Sequence, residues 1–243
     1  MNIYGINPVL EALRAGRVRE LRVGTRTDNR MERLLALAAE RGVRVTRVPS
    51  DALDRESENG VHQGVIARVD GLLDHTVDDI VRAAESPALI VVLDGVEDPH
   101  NLGAIIRTAD AAGAHGVVVQ RRRSAALAGA ADKASAGALS HMRIAEVVNI
   151  ARAVAELKEA GLWTVGLAGE AETTYDAVDF TVPSAIVLGG EGSGLRHLVK
   201  ERCDFMAAIP MHGHVDSLNV SVAAGIVLFE ALRQRKSAAR GSK

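Results

Sequence analysis

The sequence predicts an α/β protein of two domains, and three observations support this prediction. Strand-like and helix-like segments alternate over residues 1–70, which indicates an α/β sandwich. Residues 71–87 form an acidic stretch that ends at Pro87 and is typical of a linker with a short helix. From Ala88 onward, the apolar runs are continuous rather than alternating, which is typical of parallel strands covered on both faces.

The individual elements follow from apolar periodicity and from the residues that end helices and strands. In the first domain we predict helices at 8–15 and 31–41, a short helix after Ser50, and strands at 21–23, 43–48 and 64–69. In the second domain we predict strands at 88–93, 116–119, 162–168, 185–188 and 205–209, and helices at 102–113, 150–160 and within 213–235. The Ala/Gly/Ser-rich stretch 124–140 fits either a helix or a loop.

Composition limits the classes of protein to be considered. The chain has 243 residues, 47% of them hydrophobic, so it can bury a core without disulfides, and its single Cys203 fits a reducing compartment. The first residues show no basic segment followed by an apolar one, and no apolar run approaches the ~20 residues that span a bilayer. We therefore expect a cytoplasmic protein with no membrane partner.

Charge is distributed unevenly along the chain. Residues 1–49 carry ten arginines and five acidic residues, whereas residues 50–98 carry three arginines and twelve acidic residues. Arginine binds phosphates with two parallel hydrogen bonds, so a basic first domain suggests an RNA partner rather than DNA. A solvated helix face explains the same charges without any partner. Only 2% of the residues are aromatic, which leaves little for base stacking.

Three of the predicted strands end in loops rich in glycine and polar residues. These loops are DGVEDPHNLGAIIRTAD after Leu93, GGEGSGL after Leu188 and PMHGHVDSLN after Ile209. Ligands of open α/β sheets bind beyond the carboxyl ends of the strands, so the three loops define a candidate pocket. Neither a dinucleotide-binding G-x-G-x-x-G after the first strand nor a phosphate-binding P-loop is present. His100, His212 and His214 lack the spacing of a metal site, and we expect no metal.

Several polar residues in these loops have both a structural and a functional interpretation. Asn101 is placed to cap a helix, and Arg107 follows six residues later, where an ion pair with Asp110 is the simplest explanation. Ser217 and Asn219 stand where the last helix enters the core, and a single cap requires only one such residue. The second polar residue is not needed for capping, and it therefore indicates a functional site.

Glu191 lies inside the glycine-rich loop GGEGSGL. The glycines permit a close backbone approach to a flat ligand or a phosphate. A carboxylate is an unusual choice beside a phosphate, because the two negative charges repel each other. Glu191 therefore favours a cationic ligand or an arginine partner.

Together the three loops resemble the three motifs of a known family. LDGVEDPHNLGAIIRTADAAGAHGVVV, IVLGGEGSGL and IPMHGHVDSLNVSVAAGIVLFEALRQR are similar, in this order, to the motifs of the SpoU branch of the trefoil-knot (SPOUT) RNA ribose 2′-O-methyltransferases. This resemblance covers residues 88–236. The segments IYGINPVLEAL and VHQGVIARV resemble the small, ribosomal-protein-like RNA-binding domain of the members that methylate a guanosine of large-subunit rRNA.

The resemblance implies a fold, an activity and a cofactor. It implies an RNA-binding domain at 1–70, a linker at 71–87 and a knotted, mostly parallel α/β methyltransferase domain at 88–243. It implies transfer of a methyl group from S-adenosylmethionine to a ribose, most closely that of a guanosine in 23S rRNA, by a homodimer. A tRNA ribose 2′-O-methyltransferase and a non-catalytic RNA-binding assembly factor are the alternatives. Residues at the motif positions are Gly189, Ile209 and Leu218 for the adenosine of the cofactor, Gly190 and Met211 beside them, and Asn101, Arg107, Glu191, Ser217 and Asn219 for catalysis.

The role of Arg107 is the open point of the implied chemistry. A guanidinium is effectively always protonated in proteins, so we favour Arg107 as the group that grips an RNA phosphate and stabilises the developing alkoxide. The proton acceptor is then an RNA phosphate, water or a perturbed arginine. His212, His214 and Asp216 depart from the family pattern, in which we expect small or hydroxyl-bearing residues, and this leaves the exact RNA target open.

Overall fold

The structure of the protein is a computed structural model. It describes residues 2–25, 28–57, 60–69, 75–121, 138 and 141–241. The stretch 124–140, which the sequence leaves open between helix and loop, lies outside the described residues except for residue 138.

The first domain is a four-stranded sheet with helices on both faces. Its elements are β1 (Asn2–Tyr4), α1 (Ile6–Arg14), β2 (Val18–Val23), α2 (Asn29–Glu40), β3 (Arg44–Arg47), α3 (Ser50–Glu56) and β4 (Val65–Val69). The strand order is β1-β4-β2-β3, with β2 and β3 parallel and the other pairs antiparallel. All predicted elements are present, although α1 and β2 begin earlier than predicted. Strand β1 was not predicted, because three residues are too short to show a period.

Apolar residues of α1 and α2 form the core of this domain against one face of the sheet. Val9, Leu13 and Leu34 of the two helices are completely buried with Leu21 of β2 and Ala67 of β4. Helix α2 begins at a true cap, since the Asp28 side chain accepts hydrogen bonds from the backbone N–H groups of Arg30 and Met31. The domain therefore has a packed core of its own.

The second domain is built on a seven-stranded sheet in which every pair is parallel. The strand order is β7-β6-β5-β10-β8-β11-β9. Its elements are α4 (Val77–Ala83), β5 (Leu89–Asp94), α5 (Pro99–Ala111), β6 (Gly116–Gln120), β7 (Ile144–Val147), α6 (Ile150–Glu159), β8 (Trp163–Leu167), β9 (Thr173–Thr174), β10 (Ser184–Gly189), α7 (His197–Arg202), β11 (Phe205–Ala208) and α8 (Val220–Gly241). The five predicted strands are all present. Strands β7 and β9, which were not predicted, are short and lie at the two ends of the sheet.

Both faces of this sheet are covered, as the continuous apolar runs predict. In β5, Leu89 and Val91 pack in the layer that holds α5 and α8, whereas Ile90 and Val92 pack in the layer that holds α4, α6 and α7. Alternate residues of one strand point to opposite faces, so a strand between two helix layers is apolar at every position. The predicted fold class, an α/β protein with a mostly parallel second sheet, is confirmed.

The segment 71–87, expected to be a linker, contributes more than a connection. Helix α4 starts at a capping box formed by Thr76 and Asp79, and its Val77 and Ile80 are buried in the core of the second domain. A side chain at Gly116, at the start of β6, would overlap Ile80, so the glycine allows the helix to lie directly on the sheet. The described part of this segment therefore packs as part of the second domain.

The carboxyl ends of β5, β10 and β11 lie at the same edge of the parallel sheet, and β8 ends between β10 and β11. The loops that follow these strands, at 95–98, 190–196, 209–219 and 168–172, are therefore neighbours in space. This arrangement places the three loops singled out in the sequence around one position.

Candidate functional site

A cavity of about 640 Å³ opens at the carboxyl edge of the second sheet. It lies among the loops after β8, β10 and β11 and the first turn of α8. The wall of the cavity consists of apolar side chains, among them Leu167 and Leu188, and of the glycine-rich loop. Ligand cavities of about 300–1,000 Å³ are usual for small molecules, so this one is large enough for a nucleoside-sized ligand.

All five residues predicted to hold the cofactor line this cavity. They are Gly189, Gly190, Ile209, Met211 and Leu218. Of the residues predicted to act in catalysis, Glu191, Ser217 and Asn219 also line it.

The glycines at the end of β10 permit a close crossing of chain segments. A Cβ atom on Gly189 would overlap the backbone of Gly194 and Leu195, and one on Gly190 would overlap the carbonyl of Gly95. Gly190 donates a backbone hydrogen bond to the Asp94 carbonyl at 2.8 Å, and Gly194 donates one to the Gly190 carbonyl at 3.0 Å. The turn folds back on its own strand, and its backbone rather than side chains forms this wall of the cavity.

An ion pair between a buried aspartate and an exposed arginine fixes the far end of the same loop. Asp94, at the end of β5, has a fully buried side chain and accepts hydrogen bonds from the backbone N–H of Arg196 at 2.8 Å and from its Nε at 2.7 Å. The backbone and the guanidinium of one residue thus bind the same carboxylate. Loop 190–196 is held at both ends to the strand that precedes Asn101.

Asn101, Glu191 and Asn219 form one hydrogen-bonded cluster. Asn101 is buried, and its Nδ2 donates to Glu191 Oε1 while its Oδ1 accepts from Asn219 Nδ2 at 3.0 Å. Asn219 Nδ2 also lies 3.3 Å from Glu191 Oε1. The three residues come from α5, the glycine-rich loop and the start of α8, so the cluster joins all three motifs.

The capping interpretation is correct for only one of the polar residues at the entrance of α8. The Asn219 Oδ1 accepts from the Ser221 backbone N–H at 2.9 Å, so Asn219 caps the helix and joins the cluster at once. Ser217 Oγ instead donates to Asp216 Oδ1 at 3.1 Å. The sequence predicts that Asn101 caps α5, and this prediction is wrong. Asp98 caps the helix instead, since its side chain accepts a hydrogen bond from the His100 backbone N–H at 3.0 Å.

Arg107 is separated from the other predicted catalytic residues. It lies on α5, six residues after Asn101, which places it on a different side of the helix. The side chain is exposed and does not line the cavity. Across the described ranges of the chain it forms neither a hydrogen bond nor an ion pair, so the expected pairing with Asp110 is absent. Its guanidinium is free for another molecule.

Two charged residues of the cavity were not predicted from the sequence. Glu170, in the loop after β8, and Lys200, in α7, form an ion pair and both line the cavity. The hydrogen bond from Lys200 holds the pKa of Glu170 below its usual value. The rule that ligands bind beyond the carboxyl ends of parallel strands also applies to the run 162–168, and could have drawn attention to Glu170.

The histidines of the third motif lie in a continuous exposed segment, 212–219, which runs from Met211 to the start of α8. Met211 before this segment and Asp216 within it line the cavity. No three His, Cys, Asp or Glu side chains in the described residues are grouped so that they could hold a metal ion. None of the helices that the structure describes has the length and apolar character to cross a bilayer.

Comparisons with known proteins agree with the geometry of the site. Residues 88–229 match the SpoU rRNA methylase family, and residues 2–73 match the RNA 2′-O ribose methyltransferase substrate-binding family. A Pseudomonas putida protein, the 23S rRNA (guanosine-2′-O-)-methyltransferase RlmB, is 46% identical over 96% of this chain and 96% of its own. The SpoU methyltransferase AviRb of Streptomyces viridochromogenes, solved with AdoMet, is 28% identical with a TM-score of 0.84 over 98% of this chain and 91% of its own.

A second solved structure covers less of the chain. The TrmH/SpoU tRNA-modifying enzyme of A. aeolicus is 32% identical with a TM-score of 0.59, over 69% of this chain and 84% of its own. The match of more than half of the chain to one family model, the identity to full-length relatives and the shared fold all agree with the motifs quoted above. The chain belongs to the SpoU rRNA methylase family.

Proposed function

We propose that this protein is an S-adenosylmethionine-dependent methyltransferase that modifies the 2′-oxygen of a guanosine ribose in 23S rRNA. The single observation that carries this proposal is that the second and third family motifs line one cavity, while Asn101 of the first motif is hydrogen-bonded to two of its lining residues, Glu191 and Asn219. The full-length similarity to an enzyme named for this reaction supports the choice of substrate.

The residues of the cavity fit S-adenosylmethionine. Its adenosine requires a flat slot, and the cavity wall offers the backbone of Gly189 and Gly190 together with the side chains of Ile209 and Leu218. The sulfonium carries a positive charge, and the carboxylate of Glu191 lies at the cavity wall. The chemistry that the cofactor supplies when bound is an electrophilic methyl group on sulfur.

The residues of this chain supply position and charge for the displacement. Arg107 grips a phosphate of the RNA and stabilises negative charge on the attacking ribose oxygen, since its guanidinium is exposed and unpaired among the described residues. Asn101 and Asn219 hold Glu191 in place at the cavity wall. Ser217, beside the cavity, contacts the nucleotide. Correct alignment of two reactants can lower a barrier by roughly 7–11 kcal/mol, which explains how such a site works without a strong base of its own.

The first domain binds the RNA. Arg44 and Arg47 lie on β3, an edge strand of the first sheet, and both side chains are exposed. In the part of the chain that the structure describes, neither forms an ion pair or a hydrogen bond through its side chain. Unpaired guanidinium groups are suited to phosphates. In this division of labour residues 1–70 bind substrate and 88–243 perform the transfer, while 71–87 connect them and add α4 to the second domain.

A homodimer in the cytoplasm is part of the proposal. Val222 and Phe229 of α8 are 50% and 49% exposed, and their separation by about two helical turns brings them to one side of the helix. Large apolar side chains that share one exposed face mark an interaction surface. Thr108 of α5 packs near Gly225 in the middle of α8.

One experiment tests the substrate and the activity together. Purified protein is incubated with labelled S-adenosylmethionine and either unmodified 23S rRNA or unmodified tRNA, and the modified nucleotides are mapped. We expect 2′-O-methylation of one guanosine in 23S rRNA. Methylation of tRNA alone would establish the alternative substrate, which the partial match to a tRNA-modifying enzyme raises. RNA binding without transfer to either RNA would establish a non-catalytic role.

A further inference from the structure

The cavity has two polar ends on opposite sides of β10. The Asn101–Glu191–Asn219 cluster lies toward β5, because Asn101 follows that strand. Strand β8 borders β10 on its other side, and Glu170 follows β8. The Glu170–Lys200 pair therefore marks the second end of the cavity, and its function is not explained by the chemistry described above.

The charge pattern of this second end is specific. Among the described residues that line the cavity, Lys200 is the single Lys or Arg, and it is paired with a carboxylate. The two side chains are 34% and 68% exposed, so this end is open to water. An exposed ion pair of this kind contributes little to folding stability, and its partners separate easily when a better one arrives.

Only one end of S-adenosylmethionine carries a positive and a negative charge side by side, as the Glu170–Lys200 pair does. The methionine part of S-adenosylmethionine ends in an α-ammonium group and an α-carboxylate on the same carbon. An adjacent carboxylate and ammonium on the protein can pair with both, so that no charge is left without a partner. The adenine ring is neutral and flat, and suits the glycines and leucines that line the cavity.

We propose that Glu170 and Lys200 bind the amino-acid end of S-adenosylmethionine, with Glu170 accepting from the α-ammonium group and Lys200 donating to the α-carboxylate. This inference rests on the proposed function. In the free protein the two side chains pair with each other, and on binding they exchange that contact for the two charges of the ligand. Both are binding residues, and neither takes part in the transfer itself.

The experiment compares two ligands that differ only at this end. S-adenosylhomocysteine carries the amino-acid group, whereas 5′-methylthioadenosine has the same adenosine and sulfur without it. Affinities for both are measured by calorimetry on the full chain, for the wild type and for Glu170→Gln and Lys200→Met. We expect each substitution to weaken S-adenosylhomocysteine binding by roughly tenfold or more, the scale of one charge-assisted hydrogen bond, and to leave 5′-methylthioadenosine binding within about twofold.

A matched control is Glu156→Gln. Glu156 forms an exposed ion pair with Arg152 on α6 and does not line the cavity, so its loss is expected to change neither affinity. Equal weakening of both ligands by the Glu170 or Lys200 variants would overturn the proposal, because the pair would then act on the adenosine or on the shape of the cavity. Unchanged affinity for both ligands would overturn it as well. A wild-type protein that binds neither ligand would instead refute the proposed function, and with it this inference.

Discussion

At the scale of single residues, the structure divides the predicted catalytic set into two groups. Asn101, Glu191 and Asn219 are hydrogen-bonded to one another, and Glu191 and Asn219 line the cavity. Arg107 is exposed on α5 and has no partner among the described residues. This difference is expected if the cluster serves the bound cofactor while Arg107 serves a molecule that arrives later, namely RNA.

The role of Arg107 can be tested by comparing Arg107→Lys with Arg107→Ala. Lysine keeps the positive charge but loses the planar fork that holds two phosphate oxygens. If Arg107 grips phosphate and stabilises the alkoxide, the Lys variant retains measurable activity and the Ala variant falls on the order of 10²-fold or more. Cofactor affinity is expected to change little, since Arg107 does not line the cavity.

The measurement is single-turnover methylation across pH, with circular dichroism as the check on folding. A steep gain in activity of the Lys variant toward pH ~10, the ordinary pKa of lysine, would show instead that a neutral base is required at this position. Full activity in the Ala variant would remove Arg107 from the site.

His115 is expected to make stability depend on pH. Its Nδ1 accepts the Leu89 backbone N–H at 3.0 Å at the start of β5, and burial lowers the pKa of His115, with the charges of Arg235 and Arg143 acting in the same direction. A histidine whose folded pKa is lowered stabilises the fold above its unfolded pKa of about 6.5, and this stability is lost as the pH falls through that value toward the folded pKa.

Urea unfolding at pH 5 and pH 7.5 checks this prediction. The wild type is expected to lose stability at pH 5, and His115→Asn, whose Oδ1 can accept the same N–H but cannot be protonated, is expected to lose less. An equal loss in both proteins would assign the pH dependence to other groups.

At the scale of secondary-structure elements, the glycine-rich loop after β10 depends on the absence of side chains. It crosses its own strand at Gly189 and the loop after β5 at Gly190, and the ion pair of Arg196 with the buried Asp94 fixes its end. The elements around the cavity are thus held by backbone contacts that a single methyl group would disturb.

Gly189→Ala is therefore expected to disrupt the site. The added Cβ overlaps the backbone of Gly194 and Leu195, and backbone cannot move aside as a flexible side chain does. We expect a loss of stability of roughly 1–3 kcal/mol, by analogy with overpacking, and a loss of S-adenosylhomocysteine binding. Chemical denaturation and calorimetry measure the two effects.

Gly213→Ala is the matched control for this substitution. Gly213 lies in the loop before α8, has an ordinary φ, and no atom lies within 4 Å of a Cβ built there. It is expected to leave stability and binding nearly unchanged. If Gly189→Ala behaves like this control, the close crossing at Gly189 is not required for the site.

At the scale of the whole molecule, the proposed function assigns substrate binding and methyl transfer to different domains. The first domain has its own core and exposes the arginines of β3, and the second contains the cavity. A large RNA that contacts both domains gains affinity from the first without any change to the reacting groups. The two functions are expected to respond to different substitutions.

Arg44→Gln combined with Arg47→Gln is expected to weaken rRNA binding and to spare cofactor binding. The steepness with which log affinity falls with log salt concentration decreases by about one unit for each lost phosphate contact. Loss of both arginines is therefore expected to reduce this slope by about two. Filter binding across a salt series measures this. Arg152→Gln on the second domain, where the arginine is paired with Glu156, is the control. An unchanged slope in the double variant would place the RNA on another surface.

The apolar stripe on α8 predicts a dimer that a single charge disrupts. Phe229 is half exposed in the monomer, so Phe229→Glu is compatible with the fold, but it would bury an unpaired carboxylate in an interface. Sedimentation at micromolar concentration is expected to show a dimer for the wild type and a monomer for this variant.

Phe205→Glu is the corresponding control, since Phe205 is equally exposed but lies at the start of β11, at the edge of the sheet opposite the cavity. It is expected to remain dimeric. A monomeric wild type would contradict the proposed homodimer.

The sequence by itself determined five of the seven strands of the second domain, the position of the three loops and the family. Continuous apolar runs specify strands buried on both faces, and parallel strands deliver their loops to one edge, so the five cofactor-binding predictions all fall on one cavity. Only the tertiary structure decided which side chains meet. Asn101 and Asn219 are 118 residues apart, and Glu170 and Lys200 come from a loop and a helix that share no local pattern. Such pairs depend on the order of strands in the sheet, which is set by packing over the whole domain and leaves no periodic signal in the chain.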